Sequence, residues 1–350
     1  MPDPVTIGSK TLSKNSSVFI IAEIGVNHGG DMELAKKMIL AAKEIGADAV
    51  KFQTFTAESL VSPGTPKVFY QESTTDASES HYEMIQKLEF RREDHAPIKE
   101  FCEKNGLQFL STPYDVDSAK FLNELGVAAF KTASADLVDL PLQQYLASTG
   151  KPVIVSTGMA DEAEIRDVAQ IYKDQRNPNL ILLHCVSNYP CADESLNLKA
   201  MNGLQRQFPY WWGFSDHSVG ALASCLSVAL GGRVIEKHFT LDKSLPGPDH
   251  KASSTPEEFK ALVERVRRTE RMLGSEEKRC QEEERQMARV SRKSWVLNRD
   301  LPKGTILKKD MLVLKRPGTG LQAIDLDKIL NKKTKTSLLK NSQLQWNDLE

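Results

Sequence analysis

The sequence predicts a (β/α)8 TIM barrel, a ring of parallel strands wrapped in helices, followed by a small C-terminal module. Three observations carry that expectation. A strand-like apolar run followed by an amphipathic stretch recurs eight times before about residue 275. The runs are nearly continuous in apolar residues, as in strands covered on both faces. Beyond them the rhythm changes to short runs separated by Pro and Gly turns.

The eight runs are Phe19–Gly25, Ala49–Thr54, Leu107–Thr112, Ala128–Ser134, Pro152–Gly158, Leu180–Val186, Trp211–Asp216 and Arg233–Phe239. Helical spacing of apolar residues marks Met32–Ile45, Glu93–Asn105, Ser118–Leu125, Leu140–Ser148, Glu162–Tyr172, Ala221–Leu230 and Pro256–Leu273. Strands alternating with helices pair in parallel through βαβ crossovers. A doubly wound open sheet also uses such units, but eight of them in roughly 250 residues fit a closed barrel better. One connection is anomalous: Thr56 to Leu88 is long, polar and broken by Pro63, Gly64 and Pro66. A loop of that length is either functional or a tolerated insertion, and after a barrel strand it lies on the active-site face.

From Ser275 to Lys293 the composition turns to interleaved charge, which reads as a solvated helix or linker rather than a binding tract. The expected domains are therefore a barrel over 1–275, a charged linker over 276–293 and a module over 294–350. In that module Trp295–Asn298 and Met311–Lys315 read as strands, with turns at Pro302–Gly304 and Pro317–Gly320. A piece this small is marginal alone, and docking on a barrel, its own or a partner's, would support it.

Composition narrows the function. The chain has 350 residues, 40% hydrophobic and 27% charged, enough for a sizeable core. Its 46 Lys+Arg against 47 Asp+Glu leave a net charge of −1. No excess field draws it to nucleic acid or anionic lipid, so any anion must be held by a local cluster. Five cysteines without a CxxC pair argue against a disulfide framework and against a thiolate zinc site. Met1 to Ser17 is polar, and no apolar run approaches the roughly 18 residues of a membrane span. The expectation is a soluble, cytoplasmic protein.

Chemistry in this barrel type sits at the C-terminal ends of the strands, and polar residues accumulate there on all eight. They include Glu23, Asn27 and His28; Lys51 and Gln53; Ser111 and Thr112; Lys131 and Ser134; Ser156 and Thr157; His184, Ser187 and Tyr189; Ser215, Asp216 and His217; Glu236 and His238. Alternation makes Lys51 and Gln53 share a face, and likewise Glu236 and His238. His217 and His238 end consecutive strands, so their imidazoles can enter one coordination sphere and hold a divalent metal with open positions. Either could instead be a general base or a core histidine. His184, inside an apolar run, is expected to be structural. Lysines inside apolar strands are costly unless they meet an anion. Lys51 and Lys131, with hydroxyls from Thr112, Ser134, Ser156 and Ser215, thus suggest a phosphate or carboxylate pocket. Two rivals stay open: a Schiff-base lysine, and buried pairing with Glu23 or Glu236.

Several motifs taken together resemble the N-acetylneuraminate (sialic acid) synthase family. They are Ile20–Gly30, Val50–Gln53, Phe130–Ser134, Ser156–Met159, Gly213–His217 and Glu236–Thr240, and Val313–Gly320 looks like that family's C-terminal antifreeze-like (SAF) domain. The resemblance implies a synthase joining phosphoenolpyruvate to an N-acylated amino sugar. It implies a phosphoenolpyruvate site from Lys51, Thr112, Lys131, Ser134, Ser156, Ser187 and Ser215. It implies Mn²⁺ or Mg²⁺ on His217 and His238, with Glu23 orienting water or sugar hydroxyls. Gln53, Tyr189, Glu236 and Asp249 would line the acceptor site. Arg316 would reach it from the partner subunit of a domain-swapped homodimer. The acceptor implied is N-acetylmannosamine, or alternatively a 2,4-diacetamido-2,4,6-trideoxyhexose that yields legionaminate or pseudaminate. This chain departs from some relatives at Asp136 (Glu in some) and Ser187 (Asn in some), and at Asn331 and Asn341 (commonly Gly).

Overall fold

The computed structural model describes residues 2–62, 64–72, 74–76 and 78–350. Pro63, named above as a breaker, lies outside the described residues. The chain divides into two compact units, Met1–Gly274 and Ser275–Glu350.

The first unit opens with a hairpin of β1 (Val5–Ile7) and β2 (Lys10–Leu12). Eight strands follow: β3 (Phe19–Gly25), β4 (Ala49–Thr54), β5 (Gln108–Pro113), β6 (Phe130–Thr132), β7 (Val153–Ser156), β8 (Leu180–Cys185), β9 (Trp211–Asp216) and β10 (Val234–His238). All pair in parallel, in the order β5-β4-β3-β10-β9-β8-β7-β6. β5 and β6 lie side by side without a ladder, so the ring is a nearly closed TIM-like barrel. The predicted Ala128–Ser134 run shrinks to three residues in β6 because Ser134–Val138 turns at once into a 3-10 helix.

The helices form where apolar spacing and caps coincide. Met32–Glu44 buries Ala35, Met38, Ile39 and Ala42 at helical spacing, and the Asp31 carboxylate accepts from the amides of Glu33 and Leu34. Pro256–Leu273 starts with a Thr255/Glu258 capping box and Pro at its first turn. Two elements escaped the sequence reading. Ala200–Gln207 is a short helix that buries only Met201 and Leu204, too few apolar positions for a clear period. The β1–β2 hairpin inserts Val5, Ile7 and Leu12 among Phe19, Ile21, Leu110, Ile154 and Ile181, closing the barrel floor.

The 56–88 excursion is not simply polar and irregular. It holds the short helices Ala57–Leu60, Phe69–Glu72 and His81–Lys87, and a small apolar cluster of Val26, Phe55, Met84 and Leu88.

In the second unit, β11 (Ser294–Leu297) pairs antiparallel with β12 (Leu312–Lys315). Trp295, Leu297, Leu301, Leu307, Ile329 and Leu344 form its core. Asn331 and Asn341 both take φ 68°, the left-handed conformation that asparagine tolerates better than most residues other than glycine.

No helix of the described residues is long and apolar enough to cross a membrane. All five cysteines are free; Cys102, Cys185 and Cys191 are buried, and Cys280 is exposed.

Candidate active site

Pairing register decides which side chains meet at the strand ends. Lys51 on β4 stands level with Glu23 on β3, and Glu236 on β10 level with Ser215 on β9. Across β3 and β10 the register puts Glu23 level with His238, two residues beyond Glu236, so the lysine–carboxylate cluster forms across the stagger of the ring. Lys51 Nζ lies 2.8 Å from Glu23 Oε2, donates to Thr112 Oγ1 at 2.9 Å, and is 3.9 Å from Glu236 Oε2. Lys131 Nζ donates to Ser156 Oγ at 2.6 Å and to Thr132 O at 2.8 Å, and lies 3.4 Å from Glu236 Oε1. Ser215 Oγ donates to Glu236 Oε1 at 2.8 Å. Gln53 reaches Glu23 Oε1 at 3.4 Å. The register shifts beside them at Gly25 (φ 56°), where a Cβ would lie 3.0 Å from Glu23 Oε1 and 3.3 Å from Gln53 Nε2.

The four charges are fully buried and set one another's protonation. For Glu23, burial raises the carboxyl to about 7, with Lys51 opposing and Glu236 reinforcing. Glu236 also feels burial, but Lys131, Lys51 and the Ser215 hydroxyl outweigh it and hold the carboxyl at about 2. Burial lowers Lys131 from the ordinary lysine range against the pull of Glu236. Lys51 suffers the same burial but is raised by Glu23 and Glu236.

The imidazoles converge on the adjacent side. His217 and His238 ring centroids are 5.7 Å apart, and Tyr189 lies 4.0 Å from the first and 5.4 Å from the second. His217 Nδ1–H donates to Val186 O at 2.7 Å, which leaves the Nε2 lone pair directed inward, 3.4 Å from Ser215 Oγ. His238 Nδ1 is buried without a hydrogen bond and lies 4.0 Å from Asp249 Oδ2. Burial, with His217 and Lys51 nearby, keeps His238 well below the usual imidazole range. Among the described residues no group of three or more His, Cys, Asp or Glu is placed to hold a metal. The donor set here is two imidazoles. It fits a divalent ion that fills its other positions with water and substrate oxygens.

One cavity of about 900 Å³ joins these groups, lined by Glu23, Lys51, Lys131, His217, Glu236 and His238 among others. Gln53, Ser134, Ser156, Ser187, Tyr189, Ser215 and Asp249 also border it. Thr112 stands behind Lys51. Arg316 belongs to the second unit, where it is exposed and donates from Nε to Ser291 O at 3.1 Å. His184 turns away from the cavity, hydrogen-bonding Leu196 O at 2.8 Å and stacking near Phe214. A second hollow of about 1110 Å³ lies along the 56–88 excursion, lined by Glu58, Lys67, Glu79, His81 and Tyr82 among others; there Lys67 pairs with Glu79 at 3.3 Å, and His81 is the one imidazole where the barrel mouth has two.

Three features were missed in the sequence. Cys185 Sγ lies 3.7 Å from His217 Nδ1 and 3.6 Å from Ser134 Oγ, and its inward direction follows from alternation with the outward His184. Gly158 leaves a concavity: a Cβ there would sit 2.4 Å from Ser187 Oγ and 2.7 Å from Ser134 Oγ. Behind the imidazoles, the outward pair Asp216–Lys237 spans β9 and β10 at 3.2 Å in a buried setting.

Fold and site together define a barrel enzyme whose mouth combines a buried lysine–carboxylate cluster with two convergent imidazoles. Residues 38–278 match the NeuB family, and residues 292–350 match the SAF domain. The chain belongs to the NeuB family, the sialic, legionaminic and pseudaminic acid synthases, and is an enzyme of that class. It is 44% identical to the N,N'-diacetyllegionaminic acid synthase of Legionella pneumophila, over 98% of each chain. It is 38% identical to the human N-acetylneuraminate-9-phosphate synthase, over 85% of this chain and 82% of that one. Among solved structures it resembles the N-acetylneuraminic acid synthetase of Leptospira borgpetersenii. That match has a TM-score of 0.74 and 35% identity, and covers 82% of this chain and 95% of the other.

Proposed function

We propose that the protein condenses phosphoenolpyruvate with the open-chain form of an N-acylated amino sugar, releasing phosphate and forming a nine-carbon 2-keto sugar acid. The observation that carries this reading is the placement of Lys51 and Lys131 in the same cavity as His217 and His238. Between the two acceptors that the sequence leaves open, we take the 2,4-diacetamido-2,4,6-trideoxyhexose. The extent of likeness to the Legionella synthase supports that choice.

In this reading Lys51 and Lys131 bind the carboxylate and phosphate, helped by hydroxyls of Ser134, Ser156, Ser187 and Ser215 around the Gly158 concavity. Thr112 holds Lys51 in position through its hydroxyl. His217 and His238 would hold the Mn²⁺ or Mg²⁺ that supplies Lewis acidity at the sugar aldehyde when bound. Gln53, Tyr189, Asp249 and Glu236 border the space left for the sugar. C3 of phosphoenolpyruvate attacks the aldehyde carbon and forms the new C–C bond. Water then adds to the cationic C2, and the tetrahedral intermediate breaks its C2–O bond to expel phosphate. Glu23 is suited to orient that water or take its proton, because its raised carboxyl lies close to neutrality. Arg316 would complete the acceptor site from the partner subunit of a domain-swapped homodimer.

The lowered Lys131 ammonium is the feature that favours a Schiff-base aldolase instead. Its three partners, Ser156 Oγ, Thr132 O and Glu236, favour the charged ammonium over a free amine. The deciding experiment is phosphate release from phosphoenolpyruvate and Mn²⁺ with each candidate aldose. Release with one of them is expected. Pyruvate consumption with a borohydride-trapped adduct on Lys131, and no phosphate, would establish the rival.

A further inference from the structure

The two imidazoles stand one residue beyond the last rung that joins their strands. Parallel pairing between β9 and β10 ends with Lys237 opposite Asp216. Past that rung each chain turns to a different neighbour. The His217 carbonyl accepts from the Cys191 amide at 2.8 Å, and the His238 carbonyl from the Ser254 amide at 2.8 Å. The backbone of each histidine is thus tied away from the other, and the sheet ladder does not set the gap between the rings.

A buried pair on the outward face spans that gap. Alternation turns Asp216 and Lys237 away from the cavity, whereas Ser215, Glu236 and both histidines border it. Lys237 Nζ lies 3.2 Å from Asp216 Oδ2 and donates to Ser218 O at 2.6 Å and to Asp216 O at 3.4 Å. Those two carbonyls belong to the residues on either side of His217. Asp216 closes the same turn from within, where its Oδ1 accepts from the Ser218 amide at 2.9 Å and from the Ser218 hydroxyl at 2.6 Å. Its Oδ2 accepts from Ser224 Oγ on the helix Leu222–Ala229 at 2.5 Å, which anchors the turn to the outer layer. His217 therefore sits at the apex of a closed turn, and the ammonium that grips both ends of it grows from the residue before His238. Asp216 is 1% exposed and Lys237 4%.

A buried ion pair adds little net stability over apolar residues of similar size, so the geometry it imposes is its larger effect. We propose that Lys237 and Asp216 are positioning residues, a strut that fixes the spacing of His217 and His238 and with it the affinity of the site for a divalent cation. The proposal rests on the metal assignment made above and adds to it two residues that border neither the cation site nor the cavity. Groups that orient metal ligands from behind contribute about 10–100-fold to metal affinity.

The test titrates the full-length protein, freed of metal with EDTA, with Mn²⁺ alone. It reads the electron paramagnetic resonance signal of the free ion beside a melting curve. Two variants separate geometry from charge. Lys237→Arg keeps a cation beside Asp216 but gives it a longer, planar head. Lys237→Met combined with Asp216→Asn removes both charges at nearly constant volume, a change that buried pairs often tolerate. At least one of the two is expected to keep the wild-type Tm, and a folded variant should bind Mn²⁺ about tenfold or more weakly. A folded variant that binds Mn²⁺ within about twofold of wild type overturns the strut and leaves the metal assignment intact. Loss of the fold in both variants overturns it as well, by marking the pair as a support of the whole barrel. A wild-type protein that binds no Mn²⁺ removes the metal assignment itself, and the strut with it.

Discussion

Substituting Gly158 by alanine tests the anion pocket without removing any of its proposed ligands. The new Cβ would lie 2.4 Å from Ser187 Oγ and 2.7 Å from Ser134 Oγ, where ordinary contact begins at 3.4 Å. Each hydroxyl must therefore move by roughly 0.7–1 Å, enough to break a hydrogen bond to a bound anion. Hydrogen bonds to charged groups contribute about 1.5–3 kcal/mol each. Losing one predicts a fall of about 10–100-fold in kcat/KM for phosphoenolpyruvate, and losing both a fall of up to about 10,000-fold. The acceptor KM should change little, because the displaced serines lie on the lysine side. The cost in stability should also be small, since Ser134 and Ser187 are half-buried and can rotate. The assay is phosphate release at varied phosphoenolpyruvate with saturating acceptor and Mn²⁺, with a melting curve as control. A KM for phosphoenolpyruvate within twofold of wild type, in a protein with unchanged Tm, would refute the assignment of Ser134 and Ser187 to phosphate binding.

Further outcomes follow from other parts of the molecule. His217→Ala and His238→Ala should each weaken Mn²⁺ binding, read by the electron paramagnetic resonance signal of free ion, with the barrel still folded; unchanged binding in both would remove the metal assignment. Arg316→Ala should raise the acceptor KM by about tenfold and leave that for phosphoenolpyruvate near wild type, whereas equal weakening of both contradicts its acceptor role. The His28 imidazole, packed near Phe52 and Phe90, is lowered by burial and by His95 to about 4. Because the unfolded ring titrates near 6.5, its neutral burial stabilises the fold fully above that pH. The contribution is lost progressively as pH falls towards 4, by up to about 3 kcal/mol. His28→Asn should flatten the dependence of Tm on pH between 7 and 4, and a slope identical to wild type would argue against it.

Much of the barrel was legible because a two-sided apolar strand is hard to mistake: β3, β4 and β9 begin and end where the apolar runs do. The site was legible for a related reason. Lys51, Lys131 and Glu236 are charges inside those runs, and only a specific partner explains them. Alternation then set the facing of Gln53 and His238 correctly. What alternation does not encode is depth across strands. The ion pairs of Lys51 with Glu23 and of Lys131 with Glu236 depend on the stagger of the ring, which no single run reveals. Gly158 was invisible for a different reason, since its role is the absence of atoms between two serines. The hairpin β1–β2 has only Val5, Ile7 and Leu12 as apolar anchors, too few to distinguish it from a polar leader. The apolar cluster of the 56–88 excursion was hidden by composition, because its apolar side chains are dispersed among charged ones and converge only after the short helices form.

The hairpin under the barrel has a kinetic consequence. With Val5, Ile7 and Leu12 sealing the floor, the strand-end cavity is blind at its base, and molecules must queue at its rim. Lys51 and Lys131 are buried at its strand ends, whereas Leu60, Ile85 and Tyr114 along the same cavity are half-buried. In the proposed reaction the smaller anion must therefore arrive before the sugar, and a sugar that enters first becomes a stopper. Excess acceptor should then inhibit in a manner relieved by more phosphoenolpyruvate.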